Sequence, residues 1–420
     1  MRTRLVAALA MVALGLGSAR AQDPVPDDPT EILNALLGGL LGFKDMTGPE
    51  LQKEVAEAGG IPFKADVPLD FMSRPELARY LREVFDAEYP VAKARADERL
   101  LTAFGLLDPG VDLRALRARV MEENIAGFYD ERPGHRRLFA VSADRRMSPA
   151  NQLVLAHELR HALQDQHVDL QGQLSDDVSD FDDRRLAWVS LLEGDATLVM
   201  ERFLARRLPG NEDATRLLSG SLPTPDVPGA PPVVRDQLVR PYLVGLDFVS
   251  ALVAGGGWPR VEAAWRRPPQ STEQVLHVDK FISREAPRLV EAASGPPGGR
   301  LIAEGVFGEL LIQTLVGGAT GPAEGWGGDR YAVWDVGGKT LLVWRSTWDT
   351  EADAREFRAA LQERLAAERG GERDRSGFRV YGPAGGFTRG LRELRGLTVF
   401  VAADDPRLAE ETMARLLASS

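Results

Sequence analysis

The stretch VLAHELRHALQDQH, residues 154–167, holds three of the five histidines in a chain of 420 residues. Ser148-Pro149 upstream reads as a helix start, a capping side chain followed by proline at the first helical position. The helix is expected to run to about His167. Leu153, Val154, Leu155, Ala156, Leu159, Ala162 and Leu163 make it largely buried. Within HELRH, His157 and His161 are four residues apart, so they project from one face and can share one metal ion. Glu158 is rotated about 100° from His157 and about 60° from His161. It flanks such an ion without having to bind it, which suits a carboxylate that takes a proton from metal-bound water. Two buried imidazoles and a buried carboxylate need partners, and a metal supplies them. Solvated histidines on an amphipathic helix would not explain the apolar neighbours.

A catalytic zinc takes three protein ligands and keeps one position for water. A second helix, expected over about 182–207, contains LAWVSLLEGDATLVM, in which Glu193 and Asp195 interrupt an apolar run. Buried acids are rarely unpaired. Positions 186, 189, 190, 193, 196, 197 and 200 share a face on which Glu193 is the strong ligand. Asp195 lies about 200° around the helix. Both could point at the ion only if the helix bent at Gly194. Glu193 is therefore the expected third ligand, with Asp195 as its substitute or as a partner supporting the ligands. An acid pair bonded to arginines is the competing reading.

Around these helices the chain reads as α+β and largely helical. Residues 73–123 are mostly helical. Runs at 125–129 and 138–141 flank Pro133-Gly134 and predict a hairpin, with His135 solvated at its turn. Past a Pro-rich loop, further helices extend to about 316. From about 323 the texture changes to a small β-β-α-β-β-α unit, in which YAVWDVGGKTLLVWRSTW is a hairpin and Thr350/Asp353 resemble a capping box. The expected division is residues 73–322 as the main domain and 323–420 as an accessory domain.

The N-terminus, MRTRLVAALAMVALGLGSARA, has the basic start, short apolar run and Ala19-x-Ala21 site of a secretory signal peptide, with Gln22 opening the mature chain. Residues 22–72 read as a flexible or pro-like segment. Its leucine stripe (Ile32, Leu33, Leu36, Leu37, Leu40, Leu41) docks on the main domain or on a membrane surface. No other run approaches the ~20 apolar residues of a span. The chain has no cysteine, hence no disulfide or thiolate ligand. An exported, disulfide-free chain fits a bacterial periplasm or exterior. The net charge of -11, without a basic block, excludes a nucleic-acid partner.

His157-Glu158-x-x-His161 followed by a glutamate on a later helix resembles the gluzincin group of zinc metallopeptidases, of which thermolysin is the best-known member. The resemblance implies a zincin-like architecture. There a small sheet lies beside the motif helix, and its edge strand lines the cleft and pairs with extended peptide; the 125–141 hairpin is placed to supply that edge. More narrowly, HELRHALQDQH…EGDA, PPQSTEQVLH and GWGGDRY are similar to a group of secreted bacterial and archaeal proteins assigned as metallopeptidases. The narrow likeness covers about residues 120–350, the general one about 125–205. Thermolysin-type enzymes place an aspartate four residues after the ligand glutamate, where this chain has Thr197, and the gap from His161 to Glu193 is longer here. Both departures put the supporting roles and the substrate preference in doubt.

Gln164 and Asp165 lie near the face of His161, and Asp165 is placed to accept the outer N–H of a ligand histidine. His167 points away. A donor to the oxyanion of a tetrahedral intermediate is expected from His277 or Tyr242, with Arg240 behind them. The expectation is a secreted endopeptidase with one catalytic Zn²⁺ on His157, His161 and Glu193, Glu158 as base, and a polypeptide as substrate. Two alternatives stand beside it. One is a non-peptide zinc hydrolase. The other is a non-catalytic binding or structural protein whose zinc site is closed by a fourth ligand such as His277, Asp195 or His167.

Overall fold

The computed structural model describes residues 34–40, 43–44, 46–142, 144–170, 179–208, 210, 229–318, 320–368, 372–375 and 377–418. The expected signal peptide, and Ile32, Leu33 and Leu41 of the leucine stripe, lie outside these residues. The fold is mixed α+β, as the sequence implied.

Two long helices form its centre, α5 (Pro149–His167) and α6 (Asp183–Arg207). Ser148 caps α5 by accepting from Asn151 N at 3.2 Å, and Pro149 opens its first turn. Asp182 caps α6 by accepting from Arg184 N at 3.1 Å. Every residue from Ala150 to Asp165 is buried, so α5 is packed on all sides. In front of α5 in the chain come α1 (Gly48–Gly59), β1 (Leu69–Met72), α2 (Arg74–Glu88), α3 (Val91–Phe104), α4 (Leu113–Asn124), β2 (Gly127–Asp130) and β3 (Arg137–Val141). Five residues of the segment expected to be flexible or pro-like belong to this core. Leu37, Phe43, Leu51, Val55 and Ala58 pack with Leu155, Leu159, Val199 and Phe203. Burying these apolar side chains is worth roughly 1.5–3 kcal/mol each, enough to fix α1 against α5 and α6.

The hairpin forms as expected, β2 antiparallel to β3 from Gly127↔Ala140 to Asp130↔Arg137. β1 adds in parallel on the other side of β3, so the order is β1-β3-β2 and β2 is an edge strand. Gly127 permits its approach to α5, since a Cβ there would stand 3.0 Å from both Phe139 O and Val154 Cγ1.

After α6 come α7 (Pro232–Gly256), α8 (Trp258–Arg266), α9 (Thr272–Leu276) and α10 (Val278–Ser283). Among the described residues, α7 is the helix long and apolar enough to cross a membrane by length and composition. Arg235, Asp236, Arg240 and Asp247 interrupt it. Here α7 lies along α6 and crosses it where Gly194 meets Gly245. A Cβ on Gly194 would fall 2.0 Å from the carbonyl carbon of Gly245. Gly194 thus serves close helix approach rather than a bend that would aim both acids at one ion.

The C-terminal part is a seven-stranded antiparallel sheet. It comprises β4 (Arg300–Gly305), β5 (Trp326–Val336), β6 (Lys339–Trp348), β7 (Glu372–Arg375), β8 (Phe378–Ala384), β9 (Phe387–Leu394) and β10 (Leu397–Ala403), in the order β4-β5-β6-β10-β9-β8-β7. With it go α11 (Gly308–Leu315), α12 (Glu351–Ala367) and α13 (Pro406–Ala418). It is larger than the β-β-α-β-β-α unit expected from 323 and begins at Arg300. Nor does it stand apart. Phe104 of α3 stacks on Phe307 at 4.5 Å and on Phe400 at 5.7 Å, and Arg389 of β9 donates to Thr102 O and Ala103 O at 3.0 Å each.

Candidate metal centre

α5 and α6 lie side by side and bring His157, His161 and Glu193 together. His157 Nε2 and His161 Nε2 are 3.1 Å apart, and Glu193 Oε2 lies 3.1 Å from the first and 3.5 Å from the second. These side chains and Glu158 are 0–2% exposed. A tetrahedral ion with bonds of about 2.0–2.1 Å holds its ligand atoms about 3.3–3.4 Å apart. The observed edges fit such an ion, and two imidazole nitrogens with one carboxylate oxygen are a donor set that zinc takes. Among the described residues this group of ligand atoms includes no fourth His, Asp or Glu.

The electrostatics are those of three groups competing for few protons. Burial lowers the pKa of His157. For His161 burial works in the same direction, but the charge and hydrogen bond of Glu193 outweigh it and raise its pKa. Burial would raise the pKa of Glu193, yet the two histidines hold it below the usual carboxylate range.

Glu158 is held from the sheet side. Tyr129 N, on edge strand β2, donates to Glu158 Oε2 at 2.9 Å. Tyr242 stands beside the cluster. Its ring lies 5.9 Å from that of His157, with the planes 22° apart. Burial raises the Tyr242 pKa well above its ordinary value, and the charges of Glu193 and Glu158 raise it further. The hydroxyl therefore stays protonated, and it donates to Glu193. Gly245, three residues on, is the point where α7 touches α6, so the glycine crossing sets Tyr242 beside the histidines.

The supporting residues differ from those expected. Asp165 does not receive a histidine N–H. It accepts from Tyr129 Oη at 2.9 Å and pairs with Arg136 Nε at 2.9 Å. Gln164 takes the expected role, with its Oε1 2.7 Å from His161 Nδ1. A three-residue step along the helix brings a long amide back over the ring, whereas the shorter Asp165 turns toward the sheet. Asp195 stands behind Gln164, bound by both oxygens to Arg160, with Nε–Oδ2 at 2.8 Å and Nη2–Oδ1 at 2.9 Å. The competing reading of an acid bonded to an arginine thus describes Asp195 and not Glu193. Arg160 and Tyr129 escaped the sequence reading. A charged residue in the middle of a buried helix, inside the motif itself, was the available signal for Arg160. Nothing in the sequence marks a backbone N–H such as that of Tyr129.

The remaining polar candidates are engaged elsewhere. His277 Nε2 lies 3.0 Å from Glu309 Oε2 on α11, and Glu309 raises its pKa. Arg240 Nη1 donates to Leu310 O at 2.9 Å, and its Nη2 bonds Gln313. His167 Nε2 is 3.1 Å from Pro62 O. PPQSTEQVLH and GWGGDRY act as clamps. Ser271 caps α9, and Thr272 N donates to Asp183 at 2.9 Å. Asp329 accepts from Phe307 N and Gly308 N at 2.8 Å each and from Trp326 Nε1 at 2.9 Å. Gly328 lets β5 pass the backbone of Arg288, where a Cβ would lie 2.2 Å from the carbonyl oxygen. Together they tie the start of α6 to the large sheet.

A family model described as a domain of unknown function (DUF8575) matches residues 300–413. That span runs from β4 into α13 and does not include the histidine cluster. No curated protein and no solved structure matches the chain.

Proposed function

We propose that this chain is a secreted zinc-dependent endopeptidase with a zincin-like core, its zinc held by His157, His161 and Glu193. The observation that carries the reading is the triangle of Nε2, Nε2 and Oε2 atoms, 3.1–3.5 Å on each side, with Glu158 fixed beside it. A zinc ion there would supply a Lewis acid and lower the pKa of a water to about 7. The chain's own residues supply the rest. Glu158, oriented by the Tyr129 N–H, takes a proton from the attacking water and returns it to the leaving amine. Tyr242, kept protonated by its surroundings, donates a hydrogen bond to the oxygen on which charge develops. β2, as an edge strand beside the base, offers backbone groups along which an extended peptide can pair. His277 is left out of this scheme because Glu309 engages it. Export rests on the N-terminal sequence alone.

A closed structural site is the weaker reading, because the fourth ligands it would use are occupied. Asp195 is taken by Arg160, His277 by Glu309 and His167 by Pro62. The deciding variant is Glu158→Gln. It is expected to keep zinc and the fold while hydrolysis of a quenched-fluorescent peptide library falls about 10²–10⁴-fold. Turnover equal to wild type would contradict the mechanism.

A further inference from the structure

We propose that Arg160, Asp195 and Gln164 form a buried relay that keeps the proton of His161 on Nδ1 and thereby aims its Nε2 lone pair at the metal position; this deepens the zinc reading and rests on it. Donors and acceptors fix the direction of each bond. Gln164 Nε2 lies 2.7 Å from Asp195 Oδ2 and 3.1 Å from Leu192 O. A carboxylate and a backbone carbonyl can only accept, so the NH₂ of the amide faces them both. That leaves Oε1 toward His161 Nδ1, 2.7 Å away. An amide oxygen can only accept as well, so Nδ1 must be the protonated nitrogen. A neutral imidazole with its proton on Nδ1 has its lone pair on Nε2, the atom that faces His157 and Glu193.

The relay is anchored at its far end. Arg160 bonds both oxygens of Asp195 and so fixes the orientation of the carboxylate. The guanidinium itself stands between Trp258 and Trp265, 4.8 and 5.0 Å from the ring centroids. Arg160, Asp195 and Gln164 are each 0% exposed. Stability alone does not account for such a pair, since apolar side chains of similar volume often stabilise a core as well or better. His157 makes the contrast. Its Nδ1 has no hydrogen-bond partner among the described residues, so the relay serves one ligand of the pair. Arg160, Asp195 and Gln164 are positioning residues and touch no substrate.

The test uses the mature protein and zinc itself, with affinity read by competition against a chromophoric chelator. The protonated nitrogen is read by NMR of ¹⁵N-histidine, which is tractable with five histidines in the chain. Gln164→Leu is expected to weaken zinc about 10–100-fold and to release the proton from Nδ1. Gln164→Glu alone sets two carboxylates against each other and is expected to weaken zinc as well. Adding Asp195→Asn exchanges the amide and the carboxylate. The amide now at position 195 accepts from Arg160 Nη2 and donates to the carboxylate now at position 164 from the place of Oδ2, at the loss of the Arg160 Nε bond. That carboxylate still accepts from His161, at the loss of the bond to Leu192. The double variant should bind zinc more tightly than Gln164→Glu, a rescue that a merely space-filling role would not produce. Wild-type affinity in Gln164→Leu, or a double variant no better than Gln164→Glu, would overturn the relay. Should Gln164→Leu not fold, the exchange pair decides. If wild type binds no zinc, the zinc reading fails by itself. The metal-free spectrum, taken at a pH where the His161 ring is neutral, then decides the relay: a proton on Nδ1 and not on Nε2 in wild type, moved or lost without Gln164, upholds it, and a proton on Nε2 in wild type overturns it.

Discussion

Two clusters of three potential ligands are present among the described residues, and they are built differently. Glu273, Glu285 and Asp349 converge on Lys280, whose Nζ lies 2.6, 3.0 and 2.7 Å from them. His157, His161 and Glu193 converge on each other. The first cluster carries its own cation. Burial works against the Lys280 charge, but its bonds to the three acids outweigh that and raise its pKa. The second has one carboxylate beside two imidazoles; burial lowers the pKa of His157, Glu193 raises that of His161, and the arginine nearest in sequence, Arg160, is committed to Asp195. A cluster with a fixed ammonium has no use for a metal. A cluster of facing lone pairs is satisfied by one.

Tyr242→Phe tests the catalytic side of this contrast and carries the largest expected effect. Removing the hydroxyl should cut peptide turnover about 10²–10³-fold while zinc content stays at the wild-type level. Loss of zinc instead would make Tyr242 part of the metal's support. Gly194→Ala comes next. The added methyl meets the backbone of α7 and should cost about 3 kcal/mol, read as a lower denaturation midpoint, with activity falling because Tyr242 is pushed outward. A variant as stable as wild type would mean that the helices separate freely. The smallest effect belongs to the other cluster. Lys280→Met should lose about 1–2 kcal/mol and leave zinc binding untouched. With the ammonium gone, the three carboxylates become a site for a hard cation. Millimolar calcium should then raise the melting temperature of the variant and not of wild type. Calcium without effect on the variant would show that the acids disperse once Lys280 is removed.

The same contrast bears on what could be read from the sequence. α5 and α6 were legible because each states its start, Ser148-Pro149 and Asp182, and then runs apolar for several turns. The cluster was legible because helical spacing puts His157 and His161 on one face and because Glu193 is an acid where water is absent. The hairpin was legible from its turn. What stayed hidden depends on contacts between elements distant in the chain. Arg160 looks like an arbitrary residue inside the motif until Asp195 stands opposite it. Asp165 and Gln164 are equally plausible neighbours of His161 until the sheet claims Asp165. Gly194 reads as a hinge until Gly245 is against it. β9 carries Arg389, Gly390 and Arg392, a poor strand by composition, and it is built because β8 and β10 flank it. The large sheet begins before the apparent change of texture because β4, short and half exposed, needs β5 to exist.

Whether the cluster binds one metal, with Glu193 as the third ligand, is decided by elemental mass spectrometry of the purified mature protein, wild type beside Glu193→Ala. About one zinc per chain is expected in wild type and little or none in the variant. A folded wild type that holds no metal and refuses added zinc, or zinc retained equally in both proteins, would contradict that ligand set.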